Sequence, residues 1–357
     1  MQLLEYFYNK NSTIHTYYQR KFFIPDSKKV LIYGSPWSGK SYLVLDYLTK
    51  FEQDEILYID FQDPKLQFIT LTTQKLNLFI KENSIKIVVL DHYTHDYFKR
   101  LPNANQLIIV SDIYYEYIGF EAIKLSLLDY EEFFSFQKNS SEKQVFNLFL
   151  KRGTLPQLSS QIAPKEQLFK LFIKSHFDKS QQKLLSILAH FNTHSVTTFQ
   201  IYNYAKERYK ISKDLIYKQI KEFQKRDIIV FIPDYTNSNK KLLFFDFALA
   251  KYLSLSQNFP KQFDSMVALS LLKHNIKFKT FGMSGYITEK NILIIPAPFE
   301  SEESFWKKAH KRFLSYKKSS IKKIYIITVA TQYEFKIEEI LFEALPFYEW
   351  VVINEDN

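Results

Sequence analysis

The chain has 357 residues, 46% of them hydrophobic and 17% aromatic, and a formal net charge of +10. It has no cysteine, which excludes disulfides and thiolate metal sites, and its eight histidines show no ligand spacing. No apolar run reaches the roughly 18 residues needed to span a bilayer, so no membrane partner is expected.

At about 100–200 residues per domain, the length suggests two or three domains. The opening Met1-Gln2-Leu3-Leu4-Glu5-Tyr6 lacks a basic stretch followed by an apolar one, so no signal peptide and a cytoplasmic location are expected. The positive charge favours a polyanionic partner. Nearly all of it is lysine, however, beside abundant Asn, Ile, Phe and Tyr, a composition that an AT-rich genome also writes.

In chain order, Val30-Leu31-Ile32-Tyr33, Ile56-Leu57-Tyr58-Ile59, Ile87-Val88-Val89-Leu90 and Leu107-Ile108-Ile109-Val110 are short apolar runs separated by helix-like segments. They predict buried strands of a parallel sheet, with Ala122 to Leu128 as a fifth candidate, in an α/β architecture. From Asp129 to about Ser180 the apolar spacing is helical. Residues 181–253 read as helices followed by the strands Ile228–Ile232 and Lys241–Phe245 around a polar turn, the pattern of a winged helix. Residues 254–357 form a further region with apolar runs at Ile292–Ile295, Ile324–Val329 and Trp350–Ile353.

Two of the six glycines lie in Gly34-Ser35-Pro36-Trp37-Ser38-Gly39-Lys40-Ser41, between a predicted strand and a predicted helix. This is the P-loop pattern, in which inward-facing amides and a helix N-terminus cradle phosphates. Lys40 is expected to reach the β- and γ-phosphates of ATP, and Ser41 to ligate Mg2+, with Tyr42 completing the loop's contacts. Asp91, at the end of the Ile87–Leu90 strand, is the candidate for positioning the magnesium ion. His92 follows it, where many such ATPases place a glutamate as general base. Hydrolysis is then slow, or His92 or Asp112 acts as the base. The Leu107–Ser111 strand is expected between the P-loop strand and the Asp91 strand, making Ser111 a sensor of the γ-phosphate. Asp60 and Asp63 follow an expected edge strand and carry less weight.

On these residues the chain resembles the archaeal-type ATPase family of AAA-related P-loop proteins. The resemblance extends in order through Tyr58-Ile59-Asp60-Phe61-Gln62-Asp63-Pro64, Leu125 to Phe133, Gly153-Thr154-Leu155-Pro156 and, near the end, Phe305-Trp306, Ile326-Ile327-Thr328 and Leu345 to Trp350. It implies an ATPase core over 1–135, a helical lid over 136–180, a winged helix over 181–253 and a nuclease-like α/β domain over 254–357. The last of these departs from the family's metal-holding acids. Asp264 stands in for the first, Glu289-Lys290-Asn291 falls in a turn, and Ile294 to Pro298 carries no acid. Nuclease activity is therefore not expected.

Lys213, Lys218, Lys221 and Lys225 on or after the recognition helix, with Lys240 and Lys241 at the wing, are candidates for meeting double-stranded DNA. A packing module with a solvated lysine face is the alternative. A second basic stretch, Lys307 to Lys323, suits general phosphate attraction or a solvated helix face. Arg100 and Arg152 are candidates for a catalytic arginine, which a protein partner or a second copy of the chain could also supply. The expected function is a slow ATPase whose ATP or ADP state controls contact with DNA or a partner. The alternative is a non-hydrolysing nucleotide switch or scaffold.

Overall fold

The computed structural model describes residues 2–10, 18–67, 70–137, 140–159, 165–256, 258–282 and 285–353. The chain divides into two compact units, 1–127 and 128–357.

In the first unit, helix α1 (Gln2–Asn9) precedes strand β1 (Lys29–Tyr33), helix α2 (Lys40–Leu48), β2 (Ile56–Asp60), α3 (Thr73–Glu82), β3 (Ile87–Asp91), β4 (Gln106–Ser111) and β5 (Glu121–Lys124). The strands form one parallel sheet in the order β2-β3-β4-β1-β5. β4 thus lies between the strand that feeds the glycine-rich loop and the strand that ends at Asp91, as the sequence predicts, and β2 is an edge strand. Strand periodicity sends alternate residues to opposite faces. Leu31, Leu57, Val88, Leu90, Leu107 and Ile109 pack with Leu3, Phe7, Leu76 and Phe79 of α1 and α3. Val30, Ile32, Ile56, Val89, Ile108 and Val110 pack with Leu43, Val44 and Tyr47 of α2. Both faces are covered, which is why these strands read as unbroken apolar runs.

The second unit begins with α4 (Tyr130–Ser135), α5 (Glu142–Arg152), α6 (Pro156–Ser159) and α7 (Lys165–His176). Asp129 caps α4 in a reciprocal capping box with Glu132. Tyr130 of α4 packs edge-on against Phe149 of α5 at 5.2 Å, so α4 groups with the helices that follow it.

Helices α8 (Lys179–His190), α9 (Thr198–Lys206) and α10 (Lys213–Lys225) lead into an antiparallel hairpin, β6 (Ile229–Pro233) and β7 (Lys240–Phe244). The buried residues of α10, Ile216, Gln219, Ile220 and Phe223, recur every three to four positions, leaving Lys213, Lys218, Lys221 and Lys225 on the exposed side.

Helices α11 (Phe247–Leu253) and α12 (Phe259–Lys273) then precede β8 (Phe278–Phe281), β9 (Gly285–Thr288), β10 (Ile292–Pro296), α13 (Glu302–Lys318), β11 (Lys323–Thr328), β12 (Tyr333–Ile337), β13 (Ile340–Pro346) and α14 (Phe347–Ile353). These eight strands and helices contribute a mixed sheet in the order β12-β13-β11-β10-β9-β8, with β10, β11 and β13 parallel at its centre. Among the described residues no helix is long and apolar enough to cross a membrane.

Candidate functional site

Gly34 leaves β1 at φ 147°, and a Cβ there would lie 2.2 Å from the Leu125 carbonyl oxygen. Only glycine admits that approach, which is fixed by the Leu125 amide donating to the Tyr33 carbonyl at 2.7 Å. Trp37 at φ 60° and Gly39 at φ 92° turn the loop back into α2. Gly39 caps α2 without a side chain, so the cap residue supplies no acceptor to the first amides of the helix, a terminus suited to an anion. Within this turn the Ser38 hydroxyl is buried and has no hydrogen-bond partner among the described residues.

Lys40 is buried at the centre of the loop. Its Nζ donates to the Gly34 and Ser35 carbonyls, each at 2.9 Å, and pairs with Asp112 Oδ1 at 3.0 Å. Asp112 follows Ser111, the last residue of β4, which the parallel register sets beside Tyr33 at the end of β1. Ser111 is itself buried, its Oγ accepting from the Ile113 amide at 3.2 Å. Tyr42, on the next position of α2 after Ser41, is exposed.

Arg20 was not singled out by sequence reading, and it underpins the loop. Buried, it donates to the Ser38 carbonyl at 2.5 Å and to the Ser126 carbonyl at 2.8 Å. The available signal was an arginine in a chain whose cations are nearly all lysine, because a forked guanidinium can hold two carbonyls at once.

Asp91 ends β3 with 2% of its surface exposed. Its Oδ1 accepts the His92 amide at 2.8 Å, a contact made possible by the left-handed turn of His92 at φ 52°. Its Oδ2 accepts the Tyr58 hydroxyl. His92 Nδ1 lies 2.9 Å from Asp60 Oδ1 and 3.6 Å from Asp91 Oδ2. Asp60, placed on the edge strand as expected, is thus brought to Asp91 by His92. Asp63 is held instead by Lys10 and Lys65, each at 3.5 Å.

Burial pulls the His92 pKa down, but the Asp60 hydrogen bond and the charges of Asp91, Asp60 and Asp112 outweigh it and hold it above the ordinary histidine value. For Asp60, burial is likewise outweighed, chiefly by the His92 bond, and its pKa is lowered. Burial first, and then the Asp91 carboxylate, push the Tyr58 phenol well above its usual range, so it stays a neutral donor.

One sheet end therefore joins an amide cradle, a buried lysine, a helix-start serine and a buried aspartate, with β4 inserted between the two motif strands. The first unit is a parallel α/β core built around a P-loop.

No protein-family model matches the chain. It is 24% identical to an uncharacterized protein of Methanocaldococcus jannaschii, over 92% of this chain and 88% of that one. Similar solved structures include the Walker-type ATPase of Pyrococcus abyssi, at 14% identity and TM-score 0.40, covering 64% of this chain and 91% of that one. The Orc1 protein of Aeropyrum pernix in complex with DNA is similar at 9% identity and TM-score 0.28, covering 63% and 86%. Drosophila ORC bound to DNA is similar at 12% identity and TM-score 0.21, covering 64% and 80%. At such distances these likenesses carry nothing about ligands, and the P-loop core rests on the chain's own loop and strand order.

In the second unit several expected roles change. Lys241 does not meet solvent at the hairpin tip. It is 4% exposed, paired with Asp264 at 2.6 Å and bonded to the Tyr286 hydroxyl at 2.8 Å, so it is withdrawn as a DNA contact. The reason is register: Lys241 opposes Ile232 on the side of the hairpin that faces α12 and β9. Lys240, one residue earlier, remains exposed. Asp264, the stand-in for a nuclease acid, is spent on the same pair.

The basic stretch beginning at Lys307 is partly neutralised by acids outside it. Lys307 pairs with Glu303, Lys308 with Glu300, Lys317 with Glu338 and Lys323 with Glu343, at 2.6–2.8 Å. The Arg152 guanidinium donates to the Ser159 carbonyl at 2.8 Å.

The Gly153-Thr154 segment is anchored on Asp246, the cap of α11. The Asp246 carboxylate accepts the Thr154 amide at 2.5 Å and hydroxyl at 2.8 Å. A Cβ at Gly153 would lie 2.4 Å from that carboxylate. Burial pushes the Asp246 carboxyl above its ordinary value.

Proposed function

We propose that the chain is an archaeal-type ATPase that binds ATP with Mg2+ at Gly34 to Tyr42, hydrolyses it slowly, and uses its nucleotide state to control contact with DNA or a partner. The observation that carries this reading is Lys40, buried in its own loop and shared between two carbonyls and Asp112. A buried ammonium held only by neutral carbonyls and one acid at the cradle's centre is suited to exchanging those partners for phosphate oxygens.

The donor set fits magnesium, a hard cation that takes oxygen ligands and keeps part of its water shell. Ser41 would ligate it directly and Asp91 would hold its water. When bound, the ion neutralises charge on the phosphates. Ser38, with its unmet hydroxyl, is a further donor available to the phosphates.

Of the two candidate bases, the arrangement favours Asp112. It lies 3.0 Å from the lysine that would hold the β- and γ-phosphates. His92 Nδ1 lies 2.9 Å from Asp60 Oδ1, so that ring nitrogen is already engaged by a carboxylate. Ser111 would sense the γ-phosphate from the same strand end.

In the second unit, the α8–α10 helices and hairpin are read as a winged helix. Lys213, Lys218, Lys221 and Lys240 are its exposed lysines, and the helical segments before it are read as a lid. A non-hydrolysing switch is the second reading, favoured by the histidine at position 92 where the family carries an acid.

The test is magnesium-dependent ATP turnover measured with and without duplex DNA. The account expects slow turnover that duplex DNA alters, with the DNA response reduced by charge reversal at Lys218 and Lys221. Tight ATP binding with no turnover under either condition selects the switch reading.

A further inference from the structure

Tyr58 has the most direct contact with the proposed magnesium ligands of any residue not yet given a role. It is the central residue of β2, and Tyr58 lies beside Val89 of β3 in the parallel register. Alternation along β2 places Leu57 and Ile59 in the core shared with α1 and α3, and Tyr58 against the core shared with α2. The phenol therefore rises on the side of the sheet where α2 begins, and the first turn of α2 carries Ser41. The Tyr58 hydroxyl donates to Asp91 Oδ2.

We propose that Tyr58 is a positioning residue for the magnesium site, holding the Asp91 carboxylate by a hydrogen bond. The phenol has one proton, which it gives to the carboxylate. Asp91, whose other oxygen is held by the His92 amide, is locked in rotation by contacts to both oxygens. The two contacts thus pre-set the carboxylate that would hold the ion's water, before the ion arrives. The inference rests on the P-loop reading above and deepens it.

The experiment is calorimetric titration of ATP into the intact chain, first in excess EDTA and then at stepped Mg2+ concentrations. Tyr58→Phe keeps the ring and its packing and removes only the hydroxyl that holds Asp91. The expected result is ATP affinity within about twofold of the parent in EDTA. The Mg2+ concentration needed for half of the magnesium effect should rise about tenfold, as expected for losing a hydrogen bond to a charged group.

Ser41→Ala, which removes a ligand, should abolish the magnesium effect and supplies the reference for complete loss. A Tyr58→Phe variant with the parent's magnesium response overturns the proposal. So does one whose affinity falls equally with and without magnesium, which would make the hydroxyl a general structural bond. If the parent itself binds no ATP, the P-loop reading fails and this inference falls with it.

Discussion

Both units set helices against a sheet with parallel strands at its centre: β1, β3 and β4 in the first, β10, β11 and β13 in the second. Their carboxyl ends differ. The first sheet's strands run out into Gly34, Asp60, Asp91, and Ser111 followed by Asp112, with a left-handed turn at both Gly34 and His92. In the second, β10 and β13 end in Pro296 and Pro346, and β11 in Thr328, whose hydroxyl donates to the Thr331 carbonyl.

Ligands in open α/β sheets bind outside the carboxyl ends of parallel strands, but the architecture only offers the place. What makes a site there is a loop whose amides are unspent and charges that can change partners. Lys40 meets that description, since its acid and its carbonyls are all within reach of exchange. Lys241 does not, because Asp264 and Tyr286 close around it in a buried triad.

The largest expected effect separates these two lysines by stability. Lys241→Met leaves the largely buried Asp264 without its cation and should destabilise the fold by about 3 kcal/mol in denaturant unfolding. Replacing both partners, Lys241→Met with Asp264→Leu, should recover most of that loss. If the single variant is as stable as the parent, the triad is not a closed structural pair and the contrast with Lys40 weakens.

Asp112→Asn sharpens the first side of the comparison. Removing the acid frees Lys40 and takes a negative charge away from the phosphates, so ATP should bind several-fold more tightly. If Asp112 is the base, turnover should fall about a hundredfold or more. Weaker ATP binding would mean that Asp112 orders the loop instead of competing with phosphate.

The smallest effect concerns Asp234, which ties the hairpin to β8. Burial raises its pKa. The bonds it accepts from the Thr236 amide and hydroxyl, the Thr280 hydroxyl and the Asn237 amide outweigh that and leave the pKa lowered. A carboxylate with a depressed folded pKa contributes stability above its unfolded value of about 3.9, and loses it as pH falls through the folded value. The parent should therefore exceed Asp234→Asn by a constant margin at pH 5 and above. The margin should shrink on acidification below about pH 4, and a gap that widens there would reverse the sign of this account.

Much of the first unit is legible in the sequence because its signals are local. A strand, a glycine-spaced loop and a lysine at the helix start announce the cradle, and four apolar runs of similar length announce the sheet. The β4 position between β1 and β3, and with it Ser111, is what the P-loop resemblance implies.

Arg20, Tyr58 and Asp60 were not placed at the site, because each reaches it across the sheet or from outside it, and no spacing in the chain encodes that reach. Lys241 was misplaced for a related reason. A lysine near the tip of a hairpin looks solvated, and only the positions of Asp264 and Tyr286, 23 and 45 residues away, show that it has partners. Periodicity reports which face a residue occupies but not what lies opposite.

The most direct test of the central claim is calorimetric titration of ATP, with magnesium present, into the parent and into Lys40→Ala. The account predicts saturable one-site binding to the parent and an affinity about a hundredfold lower, or lost, in the variant, with the unfolding transition of the ligand-free protein kept. Equal affinity in both proteins would contradict it, because the nucleotide would then be held somewhere other than the loop from Gly34 to Ser41.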